Sequence, residues 1–310
     1  VERPLDEESA EWVRRLSDGG EERELAIQRL HERLVRIAHH EARRRHTSPA
    51  ITGPELDDLA EQAADDALLA VLAKLPTFRG ESRFTTWAYR FVVLELSHKL
   101  GRHHWRHTAP TDPQDWDRLP AAIGVDPVRH AEAAALVDAV RSVVHESLTE
   151  RQRDVFVSVV LDGTPLDALA ERLGVTRGAV YKGVYDARQA LRAGLVAQGY
   201  LEAAPAGWAF PWRATRKNVK VQLDRFLRTD PADVGCDEAL RLLHVYVDLF
   251  RSDRAGAEQG YPGVVAHLAA CGPCGEDFKG LLAAVSGQRP DAAGDVSGRR
   301  SPRRRRRQGR

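Results

Sequence analysis

The chain has 310 residues, with 46 Lys and Arg, 45 Asp and Glu, and three Cys. That length suffices for two or three small cores. The scarcity of Cys excludes a secreted disulfide scaffold and points to a reducing compartment. No apolar run approaches 18 residues and the acidic start VERPLDEESAEWVRR has no apolar stretch, so neither a membrane span nor a signal peptide is expected and the location reads as cytoplasmic. Net charge is +1, but eight Arg fall between Arg299 and Arg310, which leaves 38 basic against 45 acidic side chains elsewhere. Any nucleic-acid surface must therefore be a local patch.

Residues 1–20 are polar and end at Gly19-Gly20. Glu21 to Arg45 then reads as a helix, with Leu25, Leu30, Leu34, Ile37 and Ala38 on or near one face. A Pro- and Gly-bearing loop leads to a second helix from about Glu55 to Leu75. Its apolar residues are Leu56, Leu59, Ala63, Ala67, Val71 and Leu75, and its other side carries Asp57, Asp58, Glu61, Asp65 and Asp66. Alone, that acidic side is a solvated face.

From Phe78 the chain reads FRGESRFTTWAYRFVVLELSHKLGRHHWR, a short turn followed by a helix over 83–106. Phe84, Trp87, Ala88 and Phe91 recur at helical spacing, while His98, Arg102 and Arg106 fall at i, i+4 and i+8 on one stripe. Arg83, Arg90, Lys99, His103 and His104 add cationic groups. Two readings fit: an amphipathic core helix with a solvated basic face, or a surface whose charges hold phosphates while its rings stack on unpaired bases. Residues 107–127 hold four Pro and little periodicity, and read as a linker.

The stretch 128–198 is punctuated as a helix-turn-helix. Thr149-x-x-Gln152 is a capping box, Thr164-Pro165 opens a short helix with Leu166, Leu169, Ala170 and Leu173, Gly174 stops it, and Thr176 caps the helix from Arg177. In that last helix Val180, Val184, Ala187 and Leu191 face inward. Arg177, Tyr181, Lys182, Tyr185 and Arg188 are left to face outward, where they reach base edges and phosphates of a major groove. The competing reading is an ordinary helical bundle.

After a connector over 199–218 comes a third unit, with a helix over 219–227, an amphipathic helix from Cys236 to Phe250, and a helix over Val264 to Leu282 carrying His267-x3-Cys271-x2-Cys274. Cys236, His267, Cys271 and Cys274 together supply four soft ligands for a tetrahedral Zn²⁺ with a structural or redox-sensing role. A hairpin without metal is the plain alternative; His244, on the Cys236 helix, could substitute as a ligand, although a surface position is the plainer assignment for it. A thioredoxin-type redox centre is the other reading of Cys271-Gly-Pro-Cys274, although no βαβ pattern surrounds it.

The segment FRGESRFTTWAYR, through Phe78, Arg79, Gly80, Glu81, Ser82, Phe84, Thr86, Trp87, Tyr89 and Arg90, resembles region two of extracytoplasmic-function RNA polymerase sigma factors. LTERQRDVF…LDALAERLGVTRGAVYKGVYDARQALR resembles sigma region four, and CDEALRLLHVYVDLF…VVAHLAACGPC resembles the zinc-binding anti-sigma fold. The resemblance implies an all-α, non-enzymatic chain: region two over 1–106, the linker over 107–127, region four over 128–198, the connector over 199–218, a zinc-binding anti-sigma-like unit over 219–286, and a disordered Arg-rich tail over 287–310. It implies that Asp57, Asp58, Glu61, Asp65 and Asp66 grip core RNA polymerase. Arg83, Phe84, Thr86, Trp87, Tyr89, Arg90, His98, Arg102 and Arg106 would open −10 promoter DNA, and Thr176, Arg177, Tyr181, Lys182, Tyr185 and Arg188 would read the −35 element. The third unit is expected to regulate the others by intramolecular contact. The alternative is a conventional helix-turn-helix regulator, which has no use for FRGESRFTTWAYR.

Overall fold

The computed structural model describes residues 4–45, 53–107, 132–161, 164–202, 223, 227 and 229–287, with backbone alone for 104–107, 132–136 and 161. The expected linker, most of the connector, the helix over 219–227 apart from Leu223 and Leu227, the side chain of Arg106 and the Arg-rich tail beyond Gly287 lie outside these residues. Among the described residues the fold is all-α, with no strand, and no helix is long and apolar enough to cross a membrane.

The helices are α1 (Glu7–Ser17), α2 (Glu21–Arg45), α3 (Gly53–Lys74) and α4 (Phe84–His107), then α5 (Glu132–Ser147), α6 (Glu150–Phe156), α7 (Leu166–Leu173) and α8 (Arg177–Ala197). The last four are α9 (Gly235–Ser252), α10 (Arg254–Gly260), α11 (Pro262–Ala270) and α12 (Gly272–Ser286). Helix α1 is an addition to the sequence reading, which left residues 1–20 without an element. Asp6 caps it by accepting from Ser9 N–H, and Trp12 stacks on Phe84 at 5.7 Å between ring centroids. This short polar helix is held by that tertiary contact rather than by propensity.

The first four helices wrap one core: Leu30, Leu34, Ala38, Ala63, Ala67, Val71, Phe84, Ala88, Val92 and Leu96 are buried together. The same core takes in Leu243 and Val247 of α9 and Leu281 and Val285 of α12. A second cluster joins α5, α6 and α8 through Val140, Val144, Phe156, Ala187, Leu191 and Leu195. A third places Val155, Leu169, Val180, Tyr181 and Val184 against Cys236, Cys271 and Cys274. The C-terminal helices therefore contribute apolar side chains to both earlier bundles. Removing such surface from water is the main favourable term in packing them there.

The local punctuation is where the sequence puts it. Thr149 and Gln152 form a complete capping box, Gly174 takes the left-handed conformation at φ +63°, and Thr176 accepts from Ala179 N–H at 3.1 Å. Two boundaries differ. Helix α7 begins at Leu166 with Pro165 in the cap position, and the single helix expected over Val264 to Leu282 is broken at Cys271. Pro273 lies in the first turn of α12, where a missing N–H is tolerated, and a proline inside one continuous helix is not.

Candidate metal centre and nucleic-acid interface

The break at Cys271 builds a buried cluster. Cys236 comes from the start of α9, His267 from the last turn of α11, Cys271 from the break and Cys274 from the first turn of α12. One potential ligand atom from each lies within 4.8 Å of all the others, and all four residues are buried. Cys236 Sγ is 3.9 Å from Cys271 Sγ and 3.8 Å from Cys274 Sγ, so the thiols are gathered but not bonded to each other as disulfides. His267 Nδ1 is 2.8 Å from Asp233 Oδ1, while its Nε2 is buried with no hydrogen-bond partner among the described residues. A buried ring nitrogen without a partner, beside three gathered sulfurs, fits a metal ion and fits an empty core poorly. Hydrogen bonds with Cys236 and Cys274 push the Cys271 thiol far down toward its thiolate form. The CGPC run opens α12 directly after α11 rather than after a strand, and its two thiols belong to this four-residue cluster.

His244 is not part of the cluster. It is buried rather than on the surface, and its Nδ1 accepts from Arg90 at 2.9 Å. Burial, and then the Arg90 charge, push it down to about 3, so its ring is neutral.

The outer face of α8 differs from the sequence expectation. Arg177 and Tyr181 are 8 % and 6 % exposed, because the C-terminal helices lie over them. Arg177 donates to Cys274 Sγ at 3.3 Å and to Asp167 Oδ2 at 3.3 Å, and its guanidinium is 3.7 Å from Asp277. Tyr181 donates to Asp233 Oδ2, Tyr185 donates to the Asp230 carbonyl at 3.2 Å, and Arg188 donates to the Ala270 carbonyl at 3.5 Å. Burial lowers the Arg188 pKa. Lys182 stays exposed and pairs with Asp186, and Thr176 serves as the helix cap. The helices α8 and α9 approach closely at Gly178, where a Cβ would come 2.3 Å from Asp237 Oδ2.

Helix α4 is covered in the same way. Phe84, Thr86, Trp87 and Tyr89 are core residues of the first bundle, so its aromatic stripe faces inward. Asp248 of α9 accepts from Arg83 N–H at 2.7 Å and from Thr86 Oγ1 at 2.8 Å. Arg90 donates to the Arg241 carbonyl at 3.0 Å as well as to His244, and burial with the Arg241 charge holds its pKa down to about 10. His98 pairs with Asp167 of α7 at 3.1 Å, which joins the first bundle to the helix-turn-helix, and the half-buried Arg102 adds charge near that Asp.

A buried ionic knot ties three parts of the chain. Asp277 of α12 pairs with Arg45 of α2 at 3.0 Å and lies beside Arg177 of α8. Glu41 is almost fully buried between Arg44 and Arg45, and Arg44 also reaches Glu276 at 3.0 Å. Burial raises the Asp277 pKa, against the pull of both guanidiniums. Asp233, Asp248, Asp277 and Glu41 were all missed in the sequence. The partners of Asp233, Asp248 and Asp277 lie on distant elements, and Glu41, paired with Arg44 and Arg45 three and four residues on, looks in the sequence like an ordinary surface ion pair.

The acidic side of α3 is partly engaged. Asp57 meets His39 at 3.0 Å, Asp65 meets His31 at 2.7 Å and Asp66 meets Lys99 at 2.6 Å. Asp58 and Glu61 are exposed, and Leu69, eleven residues on from Asp58, is 65 % exposed.

Residues 143–191, which span the end of α5 through most of α8, match the family described as sigma-70, region 4. A curated relative, the RNA polymerase sigma-H factor of Pseudomonas aeruginosa, is 23 % identical over 136 residues, covering 43 % of this chain and 70 % of that protein. No solved structure matches. Sigma factors are non-catalytic, which at the level of that family supports a binding rather than an enzymatic role. The region 4 match and the sigma-factor relative together support an extracytoplasmic-function-like sigma factor that binds DNA and acts in transcription initiation.

Proposed function

We propose that this sigma factor binds core RNA polymerase through α3, reads promoter DNA through α4 and α8, and is held closed by its own C-terminal unit around a zinc ion. In this reading 1–106 is region two, 128–198 is region four, 219–286 is the closing unit and 287–310 is a basic tail. The observation that carries it is the fate of the recognition residues. The side chains of Arg177, Tyr181, Tyr185 and Arg188 hydrogen-bond to residues between Asp230 and Cys274, and those of Thr86 and Arg90 to residues between Leu240 and Asp248. A side chain so engaged is not free to meet a phosphate or a base.

The docking face on polymerase is supported by the exposed set Asp58, Glu61, Asp65 and Leu69, an apolar residue among acids on one side of α3. Zinc is supported by the donor set and its spacing. A tetrahedral ion with Zn–S bonds of about 2.3 Å has S···S edges of about 3.8 Å, against 3.8 and 3.9 Å here. The residues that would hold it are Cys236, His267, Cys271 and Cys274. Bound there, the ion cross-links α9 to α11 and α12, and its binding free energy becomes folding free energy for a unit with little core of its own.

The test is a reporter driven by the gene's own upstream region in a host with compatible polymerase. Deleting residues 219–310 is expected to raise output. Output unchanged by that deletion under every condition tried contradicts the closing role.

A further inference from the structure

We propose that the recognition helix itself completes the outer shell of the metal site, through Tyr181 and Arg177, so that metal binding and engagement of duplex DNA by α8 oppose each other. This rests on the metal-holding and DNA-reading roles proposed above and goes beyond them. It makes the two sites energetically one, where a covering unit alone would only mask α8.

The geometry runs from the ligand outward. The His267 ring is fully buried, and Asp233, 2 % exposed, holds its Nδ1, which leaves Nε2 for the metal. Asp233 is fixed from two sides: Gly235 N–H donates to Oδ1 at 2.8 Å, and the Tyr181 hydroxyl donates to Oδ2. The Tyr181 ring also packs edge-on against His267, with centroids 4.6 Å apart and planes at 70°. Tyr181 thus sets both the carboxylate that orients the ligand and one wall of the ligand's slot. A carboxylate oriented by hydrogen bonding makes the histidine it holds a more basic ligand.

Arg177 acts on the other half of the site, where it donates to Cys274 Sγ at 3.3 Å from a nearly buried position. Three thiolates and a neutral imidazole around a divalent cation carry a net charge of −1. In a buried site that charge needs a counter-charge. Arg177 is a cation whose hydrogen bond reaches a ligand sulfur, and it also touches Asp167 and Asp277.

Both side chains sit on the face of α8 that would enter a major groove, and neither can serve DNA and the metal site at once. Drawing α8 onto DNA removes the Tyr181 hydroxyl from Asp233 and the guanidinium from Cys274. By linkage, whatever factor DNA engagement takes from metal affinity, metal binding takes from DNA affinity. Tyr181 and Arg177 are positioning residues here, acting on the metal through Asp233 and through a ligand sulfur.

The test uses the full chain and the metals themselves. Zn²⁺ affinity is measured by competition with a chromophoric chelator for the parent protein and for Tyr181→Phe, Arg177→Gln and Gln189→Ala, the last an exposed residue of the same helix. Co²⁺ titration of each protein reports the ligand set through its thiolate charge-transfer band. The expected result is about tenfold weaker Zn²⁺ binding for Tyr181→Phe and for Arg177→Gln, no change for Gln189→Ala, and the same three-thiolate Co²⁺ spectrum in all four. A retained spectrum separates loss of outer support from collapse of the site. Unchanged Zn²⁺ affinity in both variants, with tight binding in the parent, overturns this inference and leaves the metal site standing. A parent protein that binds Zn²⁺ no better than Cys236→Ser overturns both.

Discussion

Asp248 is the sharpest single point at which to open the molecule. It lies on α9, yet its carboxylate accepts from Arg83 N–H at 2.7 Å and from Thr86 Oγ1 at 2.8 Å, at the N-terminus of α4, where the helix dipole favours a negative charge. Hydrogen bonds to a charged partner contribute about 1.5–3 kcal/mol each. The site is partly exposed, so water replaces part of what Asp248→Ala removes, and the Thr86 side chain is fully buried, so its hydroxyl is left poorly served. A net loss of about 2–3 kcal/mol follows, a roughly 30- to 150-fold shift toward the open arrangement. Hydrogen–deuterium exchange over residues 83–96 and 240–252 reads that shift directly. Asp248→Asn, which keeps an acceptor and loses the charge, is expected to fall between. A cycle with Thr86→Val should show strong coupling between the two sites, because both changes remove one bond. Exchange over both segments that is unaltered by Asp248→Ala refutes the reasoning.

Three further outcomes follow from the same geometry. The purified chain should carry one zinc, and Cys236→Ser or chelation should remove it and lower the melting temperature, read by elemental analysis and calorimetry; a metal-free parent with the same melting temperature contradicts this. The His98–Asp167 pair should make closure pH-dependent. The hydrogen bond to Asp167 raises the His98 pKa, with Glu95 adding to it and Arg177 opposing it, so its contribution is complete below its ordinary value of 6.5 and lost as pH climbs through the raised one. Asp167, depressed by His98 and Arg177 despite its burial, loses its contribution only in acid below 3.8. Protection between the bundles, corrected for the intrinsic rise of amide exchange with pH, should therefore fall as pH climbs above 6.5, and an equal fall in His98→Gln argues against the pair. Gly174→Ala should destabilise the helix-turn-helix by about 1–2 kcal/mol from backbone strain alone, since φ is +63° and nothing lies within 4 Å of the added Cβ; an unchanged melting temperature contradicts it.

What was legible in the sequence was local. The capping box at Thr149, the stop at Gly174 and the cap at Thr176 act within four residues of themselves, so the helix-turn-helix could be read off the chain. The cluster of Cys236, His267, Cys271 and Cys274 was legible because three of the four lie within eight residues and all the cysteines fall in one pattern. The cover over Arg177, Tyr181, Tyr185 and Arg188 was not. A polar face at helical spacing looks the same whether it meets phosphate, water or another part of its own chain, and only the fold brings Asp233 to Tyr181 and Asp277 to Arg177. The aromatic stripe from Phe84 to Phe91 left two readings, and its inward packing rests on α2 and α3 and, at Phe84, on Trp12 of α1, across sequence gaps that no periodicity spans.

Run-off transcription with purified core RNA polymerase decides whether this is a sigma factor kept closed by its own C-terminal unit. The template is the gene's own upstream region, with the parent chain and Asp248→Ala compared at equal concentration. The expected result is a transcript that depends on adding this protein and is stronger with Asp248→Ala. Absence of core binding and of transcript with both proteins would contradict it.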